Sequence, residues 1–217
     1  MEIEKKIADM RVNYTRGVLD EHMVDPNPTH QFRKWFNEAV ECEVNEPNIM
    51  ILSTVTKENK PSSRVVLLKD ITDNGFTFFT NYNSNKGKEI DLNNNVALLF
   101  LWVELQRQVR IEGIASKLPE EESRTYFKSR PIESQIGAIL SNQSSFVEKR
   151  SDLDQAYKKL YEEYQNGRLI EKPTNWGGYI VNPQSFEFWQ GRSSRLHDRI
   201  HFQKSDMNGW ITKRLAP

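Results

Sequence analysis

The sequence has 217 residues, and thirty Lys and Arg stand against thirty Asp and Glu, so the formal net charge is zero. That balance excludes a global electrostatic footprint for nucleic acid or an anionic membrane and leaves only local basic pockets. Cys42 is the single cysteine, which excludes an intrachain disulfide and a cysteine-based metal cluster, and no run approaches the ~18 apolar residues of a membrane span.

Residues 1–30 are polar, carry no signal-peptide-like apolar run and end in Asp25-Pro26-Asn27-Pro28, so they read as an arm leading into one domain over 31–217. The expected compartment is the cytoplasm. Phe32, Trp35, Phe36, Ala39 and Val40 then recur on one helical stripe that stops before Pro47. A strand over 49–55 is followed by a polar turn, a strand over 64–68, a hairpin signal at Asn74-Gly75 and a strand over 76–80. A helix over 84–92 precedes strands over 96–102 and 108–115. Helices over 119–128, 134–140 and 151–164 follow, the last closed by Asn166-Gly167. Strands return over 178–181, 186–189, 199–202 and 210–215. Roughly eight short strands with helices inserted between them predict an α+β domain round a mainly antiparallel barrel, not a doubly wound parallel sheet.

Segment 64–69 reads Arg64-Val65-Val66-Leu67-Leu68-Lys69, an apolar strand with a cation at each end. Arg64, Val66 and Leu68 would share one face and Val65, Leu67 and Lys69 the other. Two readings stand: a buried strand whose ends reach solvent, or a strand whose end cations bind anions. Ser84, Asn85 and Lys86 open a helix, where free N–H groups and a lysine suit a phosphate, although serine is also an ordinary N-cap. Tyr126, Arg130 and Ser134 are spaced at four and would line one face of a continuous helix, with Pro131 against that continuity. Hydroxyl, guanidinium and hydroxyl suit a phosphate monoester; a solvated polar face is the alternative. In a strand, Arg195, His197 and Arg199 would point to one side, close to Trp189. Three basic groups so near repel one another unless an anion or an electron-rich group lies between them, which favours a site. GxxxxGK[ST], GxGxxG, HExxH and GxSxG are all absent, so Walker, Rossmann, metallohydrolase and serine-elbow chemistry have no support.

In order along the chain stand RVVLLK at 64–69, Phe79-Thr80-Asn81 with Ser84 and Lys86, Trp102, and Arg107-Gln108-Val109. Tyr126 to Pro131 (YFKSRP), Ser134 to Ala138 (SQIGA), Gln143-Ser144-Ser145 and Trp176-Gly177-Gly178 come next. The chain closes with Phe188-Trp189-Gln190-Gly191, RLHDR at 195–199 and Arg214-Leu215-Ala216-Pro217. In these motifs the sequence resembles the pyridoxine/pyridoxamine 5′-phosphate oxidases, flavin enzymes that make pyridoxal 5′-phosphate, over nearly its whole length.

The resemblance implies a split β-barrel with flanking helices, in a homodimer with FMN at the subunit interface. It implies oxidation of pyridoxine 5′-phosphate or pyridoxamine 5′-phosphate by O2, yielding H2O2 and, from the amine, ammonia. FMN would be held by Arg64, Val65, Val66, Leu67, Leu68, Lys69, Phe79, Thr80, Lys86, Gln108, Gln143, Ser144, Trp189 and Arg199. The substrate phosphate would meet Lys69, Tyr126, Arg130 and Ser134. Arg195, Leu196 and His197 would lie at the pyridine ring, with Arg195 and His197 as the catalytic pair, and Arg11, Val12, Asn13 and Tyr14 would fold over the substrate. Two positions depart from the family pattern: Asn85 where a basic residue is common, and Phe79 where a tyrosine is. A flavin reductase on the same barrel has no reason to keep Tyr126, Arg130, Ser134, Arg195 and His197 together. A non-catalytic carrier of pyridoxal 5′-phosphate has no need of the flavin residues.

Overall fold

A computed structural model describes residues 7, 9, 10, 12–205 and 209–217; Arg11 lies outside the described residues. The elements in chain order are α1 (Pro28–Glu41), β1 (Ile49–Val55), β2 (Pro61–Leu67), β3 (Asp70–Thr72), β4 (Gly75–Asn81) and α2 (Asn85–Leu92). Then come β5 (Asn95–Trp102), β6 (Arg107–Lys117), α3 (Glu120–Ser129), α4 (Ile132–Leu140), α5 (Arg150–Gln165), β7 (Trp176–Gln190), β8 (Asp198–Lys204) and β9 (Trp210–Arg214). The strands form one nine-stranded sheet in the order β2-β1-β5-β6-β7-β4-β3, with β8 on β7 and β9 on β8. The β3–β4, β4–β7, β7–β8 and β8–β9 ladders are antiparallel, as the short connections predicted. Among the described residues no helix is long and apolar enough to cross a membrane.

The chain divides into two compact units. The first comprises the chain up to Met50, Leu98–Glu112 and Gln184–Pro217. Its helix α1 starts because Asn27 accepts the Thr29 N–H at 2.9 Å and Pro28 occupies the first turn, where its missing N–H costs nothing. Phe32 and Trp35 are buried from that helix, Phe32 against Phe100 at 4.8 Å and Trp35 edge-on to Phe188 at 5.2 Å. Each such ring contributes about 1.5–3 kcal/mol by leaving water. Val40, expected on the same stripe, is 51% exposed instead. The second unit comprises Ile51–Ala97 and Gly113–Pro183, with Phe76, Phe78 and Tyr179 buried in its β4–β7 ladder.

Four sequence expectations change. The strand expected over 64–68 runs Pro61–Leu67, so Leu68 and Lys69 lie beyond it, where the Lys69 N–H donates to Thr77 O at 2.8 Å. Its two faces are unequal: Val65 is 60% exposed while Arg64 and Val66 are half-buried. Strand β3 was not anticipated, and its pairing of Thr72 with Gly75 makes Asp73-Asn74 the hairpin loop. Gly75 opens β4 at φ 143°, where a Cβ would lie 2.0 Å from Val181 O. The strands expected over 178–181 and 186–189 are one, β7. Residues up to Val181 pair with β4 and those from Ser185 pair with β8, so Pro183 sits where the ladder changes partner and its missing N–H breaks neither. Finally, the strand expected over 199–202 forms as Asp198–Lys204, but it does not extend back to Arg195, which ends a 3₁₀ turn, Ser193–Arg195, so the one-sided strand arrangement considered for Arg195, His197 and Arg199 does not form.

Candidate active site

The second unit encloses a cavity of about 800 Å³. Arg64, Val65, Val66, Leu67, Lys69, Phe79, Thr80, Lys86, Tyr126, Arg130, Ser134 and Gln143 all line it. Leu68 is buried and does not line it, and Ser144 stands aside, its Oγ accepting the Asn85 N–H at 3.2 Å. Pro131 does break the helix: α3 ends at Ser129 and α4 starts at Ile132. Tyr126, Arg130 and Ser134 nevertheless face the same cavity, because the break is only two residues long.

Two basic groups in the cavity differ in how they are satisfied. Lys86 Nζ lies 3.2 Å from Thr80 Oγ1, 3.4 Å from Ser84 Oγ and 3.1 Å from Gln143 Oε1, at the N-terminus of α2. Burial, and secondarily the Arg64 charge, push its pKa below the ordinary lysine value. Among the described residues, Arg130 Nη1 is buried without a hydrogen-bond partner, and burial lowers the Arg130 pKa also. A guanidinium stays charged under these conditions, so a buried donor aimed at nothing marks a place for an anion. Arg64 is the opposite case. Its Nη2 meets Glu89 Oε2 at 2.9 Å and Ser62 Oγ, while Nη1 donates to Leu52 O at 3.2 Å and to Thr54 Oγ1. Sequence reasoning missed Glu89, which lies 25 residues from Arg64 and carried no motif of its own.

The first unit has a cavity of about 600 Å³ lined by Val12, Asn13, Tyr14, Arg195 and His197, together with Met10, Arg192 and Ser194. Leu196 does not line this cavity and is 68% exposed. Tyr14 is edge-on to Trp189 at 5.8 Å and to His197 at 5.7 Å, and Trp189 and His197 lie 4.6 Å apart. His197 Nδ1 accepts the Arg192 N–H at 3.1 Å, so the neutral ring carries its proton on Nε2. Trp189 and Arg199 are partners in the β7–β8 ladder, where Glu187 takes the Arg199 Nε–H at 2.8 Å. Gln108 is half-buried on β6.

The chain that follows Tyr14 is tied down at two places. Gln106 Oε1 accepts the Thr15 and Arg16 N–H groups at 2.9 and 3.2 Å. Further on, Arg214 grips the Glu21 carboxylate through two bonds of 2.6 Å, and Asp198 accepts the Leu19 N–H at 3.1 Å. The Arg214 bonds hold the Glu21 pKa down from 4.5 to about 2. A carboxylate whose folded pKa is depressed stabilises the fold above its unfolded pKa and loses that contribution as pH falls through the folded one. Hydrogen exchange at the Leu19 amide should therefore accelerate as pH drops from 4.5 towards 2, beyond the intrinsic pH dependence. Glu21→Gln should remove that acid step and speed exchange already at neutral pH.

Compared with known proteins, residues 36–164 match the family model described as pyridoxamine 5′-phosphate oxidase. The chain belongs to that family. Residues 176–217 match the pyridoxine 5′-phosphate oxidase C-terminal dimerisation region. A Leptospira biflexa relative of the oxidase family, named pyridoxine/pyridoxamine 5′-phosphate oxidase, is 52% identical over 211 residues, covering 97% of this chain and 99% of its own. The chloroplastic pyridoxine/pyridoxamine 5′-phosphate oxidase 1 of Arabidopsis thaliana is 53% identical over 97% of this chain, which spans 40% of that longer protein. Among solved structures, PhzG of Burkholderia lata, in complex with tetrahydrophenazine-1-carboxylic acid, superposes with a TM-score of 0.86 at 29% identity, over 92% of this chain and 98% of its own. A Nostoc punctiforme FMN-binding protein related to the oxidases shares the fold at TM-score 0.72 and 13% identity, covering 89% of this chain and 100% of its own.

Proposed function

We propose that this member of the oxidase family converts pyridoxine 5′-phosphate or pyridoxamine 5′-phosphate to pyridoxal 5′-phosphate. The alcohol plus O2 gives the aldehyde plus H2O2; the amine plus O2 and water gives the aldehyde, ammonia and H2O2. The observation that carries the reading is the buried, unpartnered Arg130 Nη1 in a cavity shared with Lys69, Tyr126 and Ser134. That donor set suits the phosphate common to both substrates.

The same cavity suits FMN. Lys86, Thr80 and Gln143 cluster at the N-terminus of α2, which favours the cofactor phosphate. Val65, Val66 and Leu67 offer an apolar wall for the ring. Bound there, FMN would accept two electrons and a hydrogen from the substrate carbon and pass them to dioxygen. Lys86 is the FMN phosphate ligand this arrangement favours over Arg64, whose charge Glu89 already balances. As the family resemblance implies, His197 would donate from Nε2 to the hydroxyl of the pyridine ring, and Arg195 would press that ring into place. Residues 11–14 would cover the bound substrate as part of an arm over 1–30. The matched dimerisation region supports a homodimer, in which each FMN site would draw on both subunits, and exposed apolar residues such as Phe146 and Val103 are material for that contact.

Oxygen uptake with each B6 phosphate, with and without added FMN, tests the reading. Uptake that needs both FMN and a phosphorylated substrate is expected, and none with either substrate would overturn it. Asn85 gives a separate expectation about the cofactor. It is exposed at the first turn of α2, so Asn85→Arg should tighten FMN by about 1–2 kcal/mol, roughly 5- to 30-fold in Kd, through one added charge-assisted bond. Fluorescence titration of the apoprotein measures it; equal dissociation constants would show that the phosphate is already satisfied.

A further inference from the structure

Trp176-Gly177-Gly178 opens β7, and the reaction proposed above gives these residues no task. The Trp176 ring is parallel to two cavity rings, Phe79 at 5.4 Å and 15° and Tyr126 at 6.3 Å and 2°, while Phe79 and Tyr126 themselves stack at 3.8 Å. The Arg130 guanidinium lies over the Trp176 face, 4.7 Å from its centroid. Gly178 leaves room for the stack and Gly177 for its neighbour Tyr82. A Cβ on Gly178 would come within 2.8 Å of the Phe79 ring, and one on Gly177 within 2.1 Å of the Tyr82 hydroxyl. The platform is also anchored from behind: Lys172 Nζ donates to Trp176 O at 2.7 Å and meets Glu120 at 3.1 Å. From the other side, Gln135 Nε2 donates to Arg130 O at 2.8 Å and fixes the backbone at the helix break.

A guanidinium stacked on an aromatic face is oriented without using any of its N–H groups, whereas a carboxylate partner would neutralise it. The contrast with Arg64, whose charge is spent on Glu89, lies within one cavity. We propose that Trp176 is a positioning residue for the substrate phosphate: its indole face holds the Arg130 guanidinium flat and leaves Nη1 free to meet the anion. The inference rests on the phosphate-site reading of this cavity. It assigns to the Trp-Gly-Gly segment the setting of phosphate affinity rather than of the redox step.

The test uses the FMN-loaded enzyme and inorganic phosphate as the probe, by calorimetry, alongside KM and kcat for pyridoxine 5′-phosphate. Trp176→Leu should weaken phosphate binding and raise KM together by about 2- to 30-fold, the span of a cation–π contact, with kcat little changed. Trp176→Tyr and Trp176→Phe keep an aromatic face and the packing, and should fall between wild type and Leu, Tyr nearer wild type. They carry the test if the Leu variant does not fold. In an Arg130→Ala background Trp176→Leu should add almost nothing. Unchanged phosphate binding in the folded variants, an equal loss in the Arg130→Ala background, or no phosphate binding by wild type would each overturn the inference. If wild type binds phosphate through Trp176 and Arg130 yet oxidises neither B6 phosphate, the platform stands and the oxidase reading fails.

Discussion

Arg130→Ala should raise KM for pyridoxine 5′-phosphate by about 10- to 150-fold, because a charge-assisted bond to the phosphate is worth ~1.5–3 kcal/mol. The side chain waits with one buried nitrogen unsatisfied, so the free protein already bears the desolvation cost and the bound anion removes it. The phosphate is carried unchanged through the reaction, so its contact is uniform binding and kcat should change little. FMN content should also hold, since Lys86 rather than Arg130 is assigned to the cofactor. Steady-state kinetics with flavin quantified spectroscopically separates these effects. Loss of FMN with unchanged KM would move Arg130 to the cofactor site.

Arg195→Leu should leave FMN and the dimer intact but lower kcat/KM by at least ~100-fold, equivalent to ~2.7 kcal/mol of transition-state stabilisation. Its backbone supports a specific placement. Ser194 and Arg195 both hold left-handed conformations, φ 57° and 60°, which ordinary residues adopt at a cost of ~1–2 kcal/mol each. The turn they make brings Arg195 to the cavity lined by Tyr14 and His197. Truncation should therefore damage the chemical step as well as binding. His197→Asn should be milder, since an amide can accept the Arg192 N–H and still donate to the ring hydroxyl. Single-turnover rates measured without oxygen decide the matter; a rate equal to wild type in Arg195→Leu would remove its positioning role.

The sequence was most legible where one periodicity ran unbroken. Phe32 and Trp35 appear on the buried stripe of α1, and Ser84 caps α2 as its position suggested. The spacing of Tyr126, Arg130 and Ser134 pointed to a shared surface, and they share one despite the break at Pro131. Legibility failed where tertiary partners decide. The sequence reads as two strands over 178–181 and 186–189, yet β7 runs through both because the strand exchanges β4 for β8 between them. Asp70–Thr72 is too short and too polar to announce a strand, and pairing with β4 makes it one. Arg195, His197 and Arg199 would share one side only if a strand carried all three, but left-handed residues place Arg195 in a turn, a conformation that residue type does not encode. Glu89, Gln106 and Trp176 act through contacts with distant residues, which no local pattern reveals.

The most direct test of the oxidase reading is anaerobic mixing of the FMN-loaded wild-type protein with pyridoxine 5′-phosphate and, separately, with pyridoxamine 5′-phosphate in a stopped-flow spectrophotometer. The account predicts that the oxidised-flavin absorbance falls within the time of one turnover with at least one substrate, that pyridoxal 5′-phosphate forms in equal amount, and that admitting oxygen restores the absorbance. Flavin absorbance that persists with both substrates would contradict it.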